Sequence, residues 1–134
     1  ASNDLNLIAA MKKDIAIWNI NSFAEFYMQI FEKYKSNYEE AIEKFKNVRK
    51  EYVELLTQVP YLRVIPSQAN YVMCELTGKM TSRELAEELL DKYNILIKDL
   101  SNKNGFDGKS YVRIAVKRPE ENKKLVEAMK DVLR

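Results

Sequence analysis

The chain has 134 residues, of which 46% are hydrophobic, 31% charged and 10% aromatic, enough for one ordinary domain and too apolar for the disordered class. Histidine is absent and Cys74 is the lone cysteine, which excludes Ser-His-Asp and Cys-His catalysis, most zinc chemistry and an internal disulfide. Basic and acidic side chains number 22 and 20, leaving a charge of +2 with the signs interspersed, a balance that calls for no nucleic-acid partner.

Asn3 or Asp4 is placed to cap a short first helix, with Leu5, Ile8 and Ala9 at helical spacing and Lys12 and Lys13 in its last turn, where cations suit the helix dipole. Asp14 to Trp18 breaks that period. From Ser22, which forms a capping-box pattern with Glu25, an apolar stripe runs through Phe23, Phe26, Tyr27, Ile30, Phe31 and Tyr34. The same period continues through Tyr52, Leu55 and Leu56 to Val59 and Pro60. Such a length implies a long connector, two helices joined near Ser36 and Asn37, or a bent helix. After Pro60 the character turns to strands: Tyr61 to Ile65, a turn at Pro66-Ser67-Gln68, and an alternating run from Asn70 to Leu76. Val72, Cys74 and Leu76 share a face of that run, so Cys74 reads as a packed core thiol rather than a nucleophile. Thr81 and Glu84 open another helix, with Leu85, Leu89 and Leu90 inward, ending near Tyr93 and Asn94. Ile95 to Lys98 is a third strand and Tyr111 to Val116 a fourth, across a loop holding Gly105 and Gly108. Pro119 fits the first turn of a last helix whose core side carries Leu125, Val126, Met129 and Val132 or Leu133.

This order predicts an α+β domain: a small, mostly antiparallel sheet of three or four strands covered by helices and preceded by a long helix. Residues 1–134 are expected to form one domain, with 1–58 a helical connector and long helix and 59–134 the sheet portion. The longest apolar run is four or five residues, against about 18 for a membrane span, so no membrane partner is expected. The opening Ala1-Ser2-Asn3-Asp4 has no features of a secretory signal, and the single cysteine suits a reducing, cytoplasmic location. Absence of an initiating methionine suggests a piece of a longer polypeptide.

Most acids lie at helical spacing opposite the apolar stripes and mix with lysines, as in Glu39-Glu40 and Glu43-Lys44, the pattern of a solvated face. No spacing matches an EF-hand, a phosphate-binding loop, a dinucleotide fingerprint or a metal site. Arg113 stands apart. It interrupts the apolar strand Val112-Arg113-Ile114-Ala115-Val116, and is either an arginine on the wet face of an antiparallel sheet or a planar fork awaiting a carboxylate or phosphate. Trp18, Asn19 and Asn21 form a second unusual stretch, which helix capping by Asn21 or Ser22 partly explains.

Taken together, the segments "IWNINSFAE", "IPSQANYVMCEL", "ILIKDLSNKNGFDGKSYVRIAV" and "PEENKKLVEAM" resemble, in that order, the carboxy-terminal small domain of fold-type I pyridoxal-phosphate enzymes. The nearest branch is that of histidinol-phosphate aminotransferase and threonine-phosphate decarboxylase. The resemblance implies that Arg113 grips the carboxylate of an amino-acid substrate. It implies that Lys98, standing before Asp99 where the branch has an arginine, faces the substrate's distal anionic group with a charge but no fork. Asn19 and Asn21, with Trp18, match the stretch that approaches the active site. The family's Schiff-base lysine precedes a glycine-rich segment, and no glycine occurs here before Gly78. Lys12 and Lys13 do not fit that role. No catalytic, cofactor-binding or metal residue is therefore expected in this chain. Pyridoxal 5'-phosphate would be bound by a large domain upstream, and the fragment alone would be inactive. The implied function is the substrate-orienting part of an aminotransferase acting on an amino acid or amino-acid phosphate with a 2-oxo acid, as a homodimer. A decarboxylase of amino-acid phosphates on the same scaffold, and a non-catalytic α+β binding or regulatory module, are the alternatives.

Overall fold

The computed structural model describes residues 3–14, 20–106 and 108–134. The chain divides into two compact units, Ala1–Ala41 and Ile42–Arg134, with the division inside a helix. In the first unit, helix α1 (Leu5–Asp14) starts at Asp4. The Asp4 carboxylate accepts the backbone N–H groups of Asn6 and Leu7 at 3.0 and 3.1 Å, satisfying two of the donors that a helix leaves unpaired. Helix α2 (Ser22–Leu56) is one continuous element of 35 residues, neither broken nor divided at Ser36 and Asn37. Its cap is Asn21, whose Oδ1 accepts from Ala24 N–H at 2.9 Å while its carbonyl accepts from Glu25 N–H at 3.0 Å. Ser22 therefore takes the first helical position and the expected Ser22–Glu25 box does not form: with Asn21 as cap, the reciprocal position belongs to Ala24. Along the first part of α2 the rings of Tyr27, Phe31 and Tyr38 follow one another at 5.7 and 5.5 Å between centroids, the i,i+4 and i,i+7 spacing of one helix face.

The second unit holds the sheet. Strands β1 (Leu62–Ile65), β2 (Tyr71–Leu76), β3 (Lys98–Asp99) and β4 (Ser110–Ala115) lie in the order β1-β2-β4-β3, every pair antiparallel. Val72, Cys74, Leu76, Val112 and Ile114 fill one face. They share one core with Tyr52 and Leu56 of α2, with Leu85 and Leu89 of α3 (Ser82–Tyr93), and with Leu125, Val126 and Met129 of α4 (Pro119–Val132). The α+β class and the antiparallel sheet follow the sequence expectation.

Two local expectations are corrected. Leu90 is 43% exposed, because the core stripe of α3 runs through Leu85 and Leu89 and Leu90 sits about 100° further around the helix. The third strand is shorter than Ile95 to Lys98. Asn94 ends α3 in the left-handed conformation at φ 55°, and Ile95 N–H returns to the Leu89 carbonyl at 3.0 Å, so Ile95 belongs to the helix cap and only Lys98 and Asp99 reach the sheet. In α4 the sequence reading misses Asn122. This residue is buried and clamps both backbone groups of Lys117, at 2.9 and 3.0 Å, fixing the chain between β4 and α4.

Candidate functional site

Because side chains alternate along a strand, the register places a second set of residues on the sheet face opposite the core. Arg63 pairs with Glu75, Met73 with Arg113, and Arg113 with Lys98. These side chains share one face of the sheet in two adjacent rows, Arg63, Glu75 and Tyr111 in one and Met73, Arg113 and Lys98 in the next. The two ends of that face differ. At the β1–β2 end Glu75 is largely buried and doubly paired: Arg63 Nε donates to Oε2 at 2.6 Å, Arg63 Nη2 donates to the same oxygen, and Lys109 Nζ lies 3.6 Å from Oε1. The Arg63 hydrogen bond holds the Glu75 carboxyl below its ordinary pKa, outweighing the burial that pushes it up. Tyr111 closes this end, its ring 4.7 Å from that of Phe106.

The β4–β3 end is different. Arg113 and Lys98 are exposed cations on directly opposed positions, and among the described residues the Arg113 side chain makes no ion pair and no hydrogen bond. Its contact is with an aromatic face: Cζ lies 5.0 Å from the centroid of Tyr71, within cation–π range. The charge of Lys98 acts on its neighbour Asp99. Burial pushes that carboxyl up, but hydrogen bonds from Ser101 and the lysine's charge help bring it below its ordinary value. Asp99 also holds the following turn, accepting Ser101 N–H at 2.9 Å, and so is occupied. Arg113, Lys98 and Tyr71 line a wide, open groove together with Asn70, Leu96 and Lys117. The arrangement presents a planar fork and a point charge side by side, a geometry for a small molecule with two anionic groups or one carboxylate.

Of the four residues predicted for substrate binding, the structure brings Arg113 and Lys98 together. Asn21 lies in the first unit, where its side chain caps α2. Asn19 lies outside the described residues. Tyr71 was not singled out by the sequence reading. An aromatic at the start of a strand is ordinary, and only the β2–β4 register shows that it shares a face with Arg113. Cys74 is fully buried and its thiol is pushed up to about 12 by that burial, which leaves it protonated and unreactive at neutral pH. Among the described residues no group of three or more acids and cysteines is placed to hold a metal ion, and no helix is long and apolar enough to cross a membrane.

The family model described as aminotransferase class I and II matches residues 2–129. The chain is 30% identical over 133 residues to the CMP-5'-(3-aminopropyl)phosphonate synthase of Streptomyces rubellomurinus, covering 99% of this chain and 21% of that protein. It is 31% identical to the L-serine phosphate decarboxylase of Sulfurospirillum multivorans, covering 98% of this chain and 34% of the relative. Among solved structures, the histidinol-phosphate aminotransferase of Clostridium acetobutylicum superposes with a TM-score of 0.78 at 32% identity, covering 98% of this chain and 39% of that one. The chain thus spans between a fifth and two fifths of the length of these relatives.

Proposed function

The chain belongs to the class I and II aminotransferase family, and from that membership we propose that it is the substrate-orienting small domain of a pyridoxal-phosphate-dependent aminotransferase acting on an amino acid or amino-acid phosphate. One observation carries the reading: a guanidinium on the open sheet face, free of any ion pair among the described residues, beside a second cation in register. Relatives that include a histidinol-phosphate aminotransferase and an L-serine phosphate decarboxylase support an anionic substrate.

The described residues do not fit the cofactor itself. A helix N-terminus is a usual seat for a phosphate, but here each is taken. Asp4 caps α1 and Asn21 caps α2. Thr81 and Glu84 close α3 in a reciprocal capping box, while α4 begins with Pro119, which has no N–H, followed by Glu120 and Glu121. In the family pyridoxal 5'-phosphate supplies the electron sink; in this reading another part of the whole protein holds it. The work of this chain is orientation. Arg113 would take the substrate carboxylate bidentately and Lys98 the distal anionic group, fixing the substrate at two points and converting a loose encounter into a single reactive pose. Asn21 and Asn19 are proposed to approach the substrate from the segment before α2. We further assign to the whole protein a 2-oxo acid as amino acceptor, a homodimeric state and a cytoplasmic location.

A second reading, decarboxylation, is favoured by one observation: an L-serine phosphate decarboxylase matches 98% of this chain. One experiment separates the two. Full-length protein loaded with pyridoxal 5'-phosphate is given O-phospho-L-serine and 2-oxoglutarate, and amino transfer and carbon dioxide release are measured together. Amino transfer without carbon dioxide supports the first reading and the reverse supports the second. In either case Arg113→Ala is expected to lower turnover by about 100-fold or more, the loss of a bidentate charged contact; unchanged turnover would remove Arg113 from the site.

A further inference from the structure

We propose that Tyr71 is a positioning residue for Arg113, its ring face holding the guanidinium in place so that the fork meets a substrate carboxylate already ordered. The inference rests on the reading of Arg113 as the carboxylate grip and deepens it by naming the group that aims it. Tyr71 pairs with Ala115, two residues along β4 from Arg113 and on the same face, which is the diagonal reach of cross-strand neighbours. The 5.0 Å separation of Cζ from the ring centroid lies within cation–π range.

The two flanking strands act on the fork in the same sense. Lys98 on β3 stands directly opposite Arg113, and like charges at opposed positions repel. Tyr71 on β2, on the other side of β4, attracts. The guanidinium is therefore pushed from β3 and drawn toward β2, and among the described residues no ion pair competes for it.

The backbone that carries the ring is itself anchored. Ser67 Oγ donates to the Tyr71 carbonyl at 2.6 Å and accepts from Ala69 N–H at 3.1 Å. Arg49 of α2 donates to the Ala69 carbonyl and to Gln68 Oε1, both at 3.0 Å, and Val116 N–H donates to the Asn70 carbonyl at 2.9 Å. The turn that delivers Tyr71 is thus tied to α2 on one side and to the end of β4 on the other. An arginine side chain held in advance loses less freedom when it binds, so the benefit appears as affinity for the group it grips.

The test compares two probes on the full-length protein loaded with pyridoxal 5'-phosphate, reading the cofactor's absorbance during titration. O-phospho-L-serine carries the carboxylate; O-phosphoethanolamine is the same amine and phosphate without it. Tyr71→Leu is expected to weaken O-phospho-L-serine by about 5-fold, the upper end for an exposed cation–π contact, and to leave O-phosphoethanolamine within about twofold. Tyr71→Phe, which keeps the ring face, should bind both as the parent does. Tyr71→Met repeats the test with an unbranched, adaptable side chain should the leucine variant fold poorly. Equal weakening of both probes, no weakening of either, or a phenylalanine variant as impaired as the leucine one would overturn the inference. Arg113→Ala runs in parallel and should abolish discrimination between the probes. If it does and Tyr71→Leu is silent, the positioning role alone fails. If Arg113→Ala leaves discrimination intact, or the parent protein shows none, the reading of Arg113 fails and the inference with it.

Discussion

Glu75 lies on the open face of the sheet and is still only 9% exposed, so its charge depends on Arg63 and Lys109. The Arg63 hydrogen bond, the largest influence, holds the folded-state pKa below its ordinary value. A depressed carboxyl pKa contributes stability that is fully present above the unfolded value of about 4.3 and is lost as pH falls through the folded pKa. Glu75→Gln is therefore expected to lower the melting temperature at pH 7 and to flatten the fall in stability below about pH 4.3, as read by thermal melts across the acid range. Cys74 gives a second residue-scale prediction. With its thiol pushed up to about 12 by burial, it should resist maleimide at pH 7.5 in the folded chain and react at once in guanidinium chloride, as followed by mass spectrometry.

Two elements depend on single contacts that mutation can isolate. The Thr81 hydroxyl accepts from Glu84 N–H at 3.2 Å, and Glu84 Oε2 accepts from Thr81 N–H at 2.8 Å, so one side-chain pair satisfies donors at both ends of the first turn of α3. Thr81→Ala is expected to cost about 1 kcal/mol and Thr81→Ser to restore most of it, measured by urea unfolding. Where the chain enters β1 and leaves β2, at the end of the pair away from its turn, the approach is steric. A Cβ on Gly78 would meet Tyr61 Cβ and Cγ at 3.1 Å, and Tyr61 is itself held at φ 56°, where a bulky residue is strained. Gly78→Ala should therefore destabilise by about 1–3 kcal/mol. Tyr61→Gly should relieve both the clash and the strain, so the double variant is expected to unfold at higher urea than Gly78→Ala alone.

Across the whole molecule burial is unevenly distributed: among the described residues every buried side chain is Tyr52 or lies beyond it. Among its described residues the unit Ala1–Ala41 buries none, and Phe23 is 85% exposed in it. Limited trypsin digestion should accordingly trim this unit and leave a resistant fragment beginning near Ile42, whose melting temperature stays close to that of the intact chain, since none of the described buried side chains is removed with the rest. What the sequence determined by itself was local and periodic. The helix registers, the Thr81–Glu84 box, the Pro119 start and the core set Leu85, Leu89, Leu125, Val126 and Met129 follow from spacing and capping chemistry within a few residues. Arg113 is legible from pattern as a charge inside an apolar strand, while its role as a carboxylate grip comes from the family resemblance alone. Only the tertiary structure decided that Lys98 stands opposite it and Tyr71 beneath it. Strand order and register are set by contacts between segments far apart in the chain, and a shift of one residue would turn each of these side chains to the other face. The same reason explains the errors at Leu90 and Ile95: helical period does not say how wide the buried stripe is, and the left-handed cap at Asn94, closed by a bond back to Leu89, uses residues that read as strand.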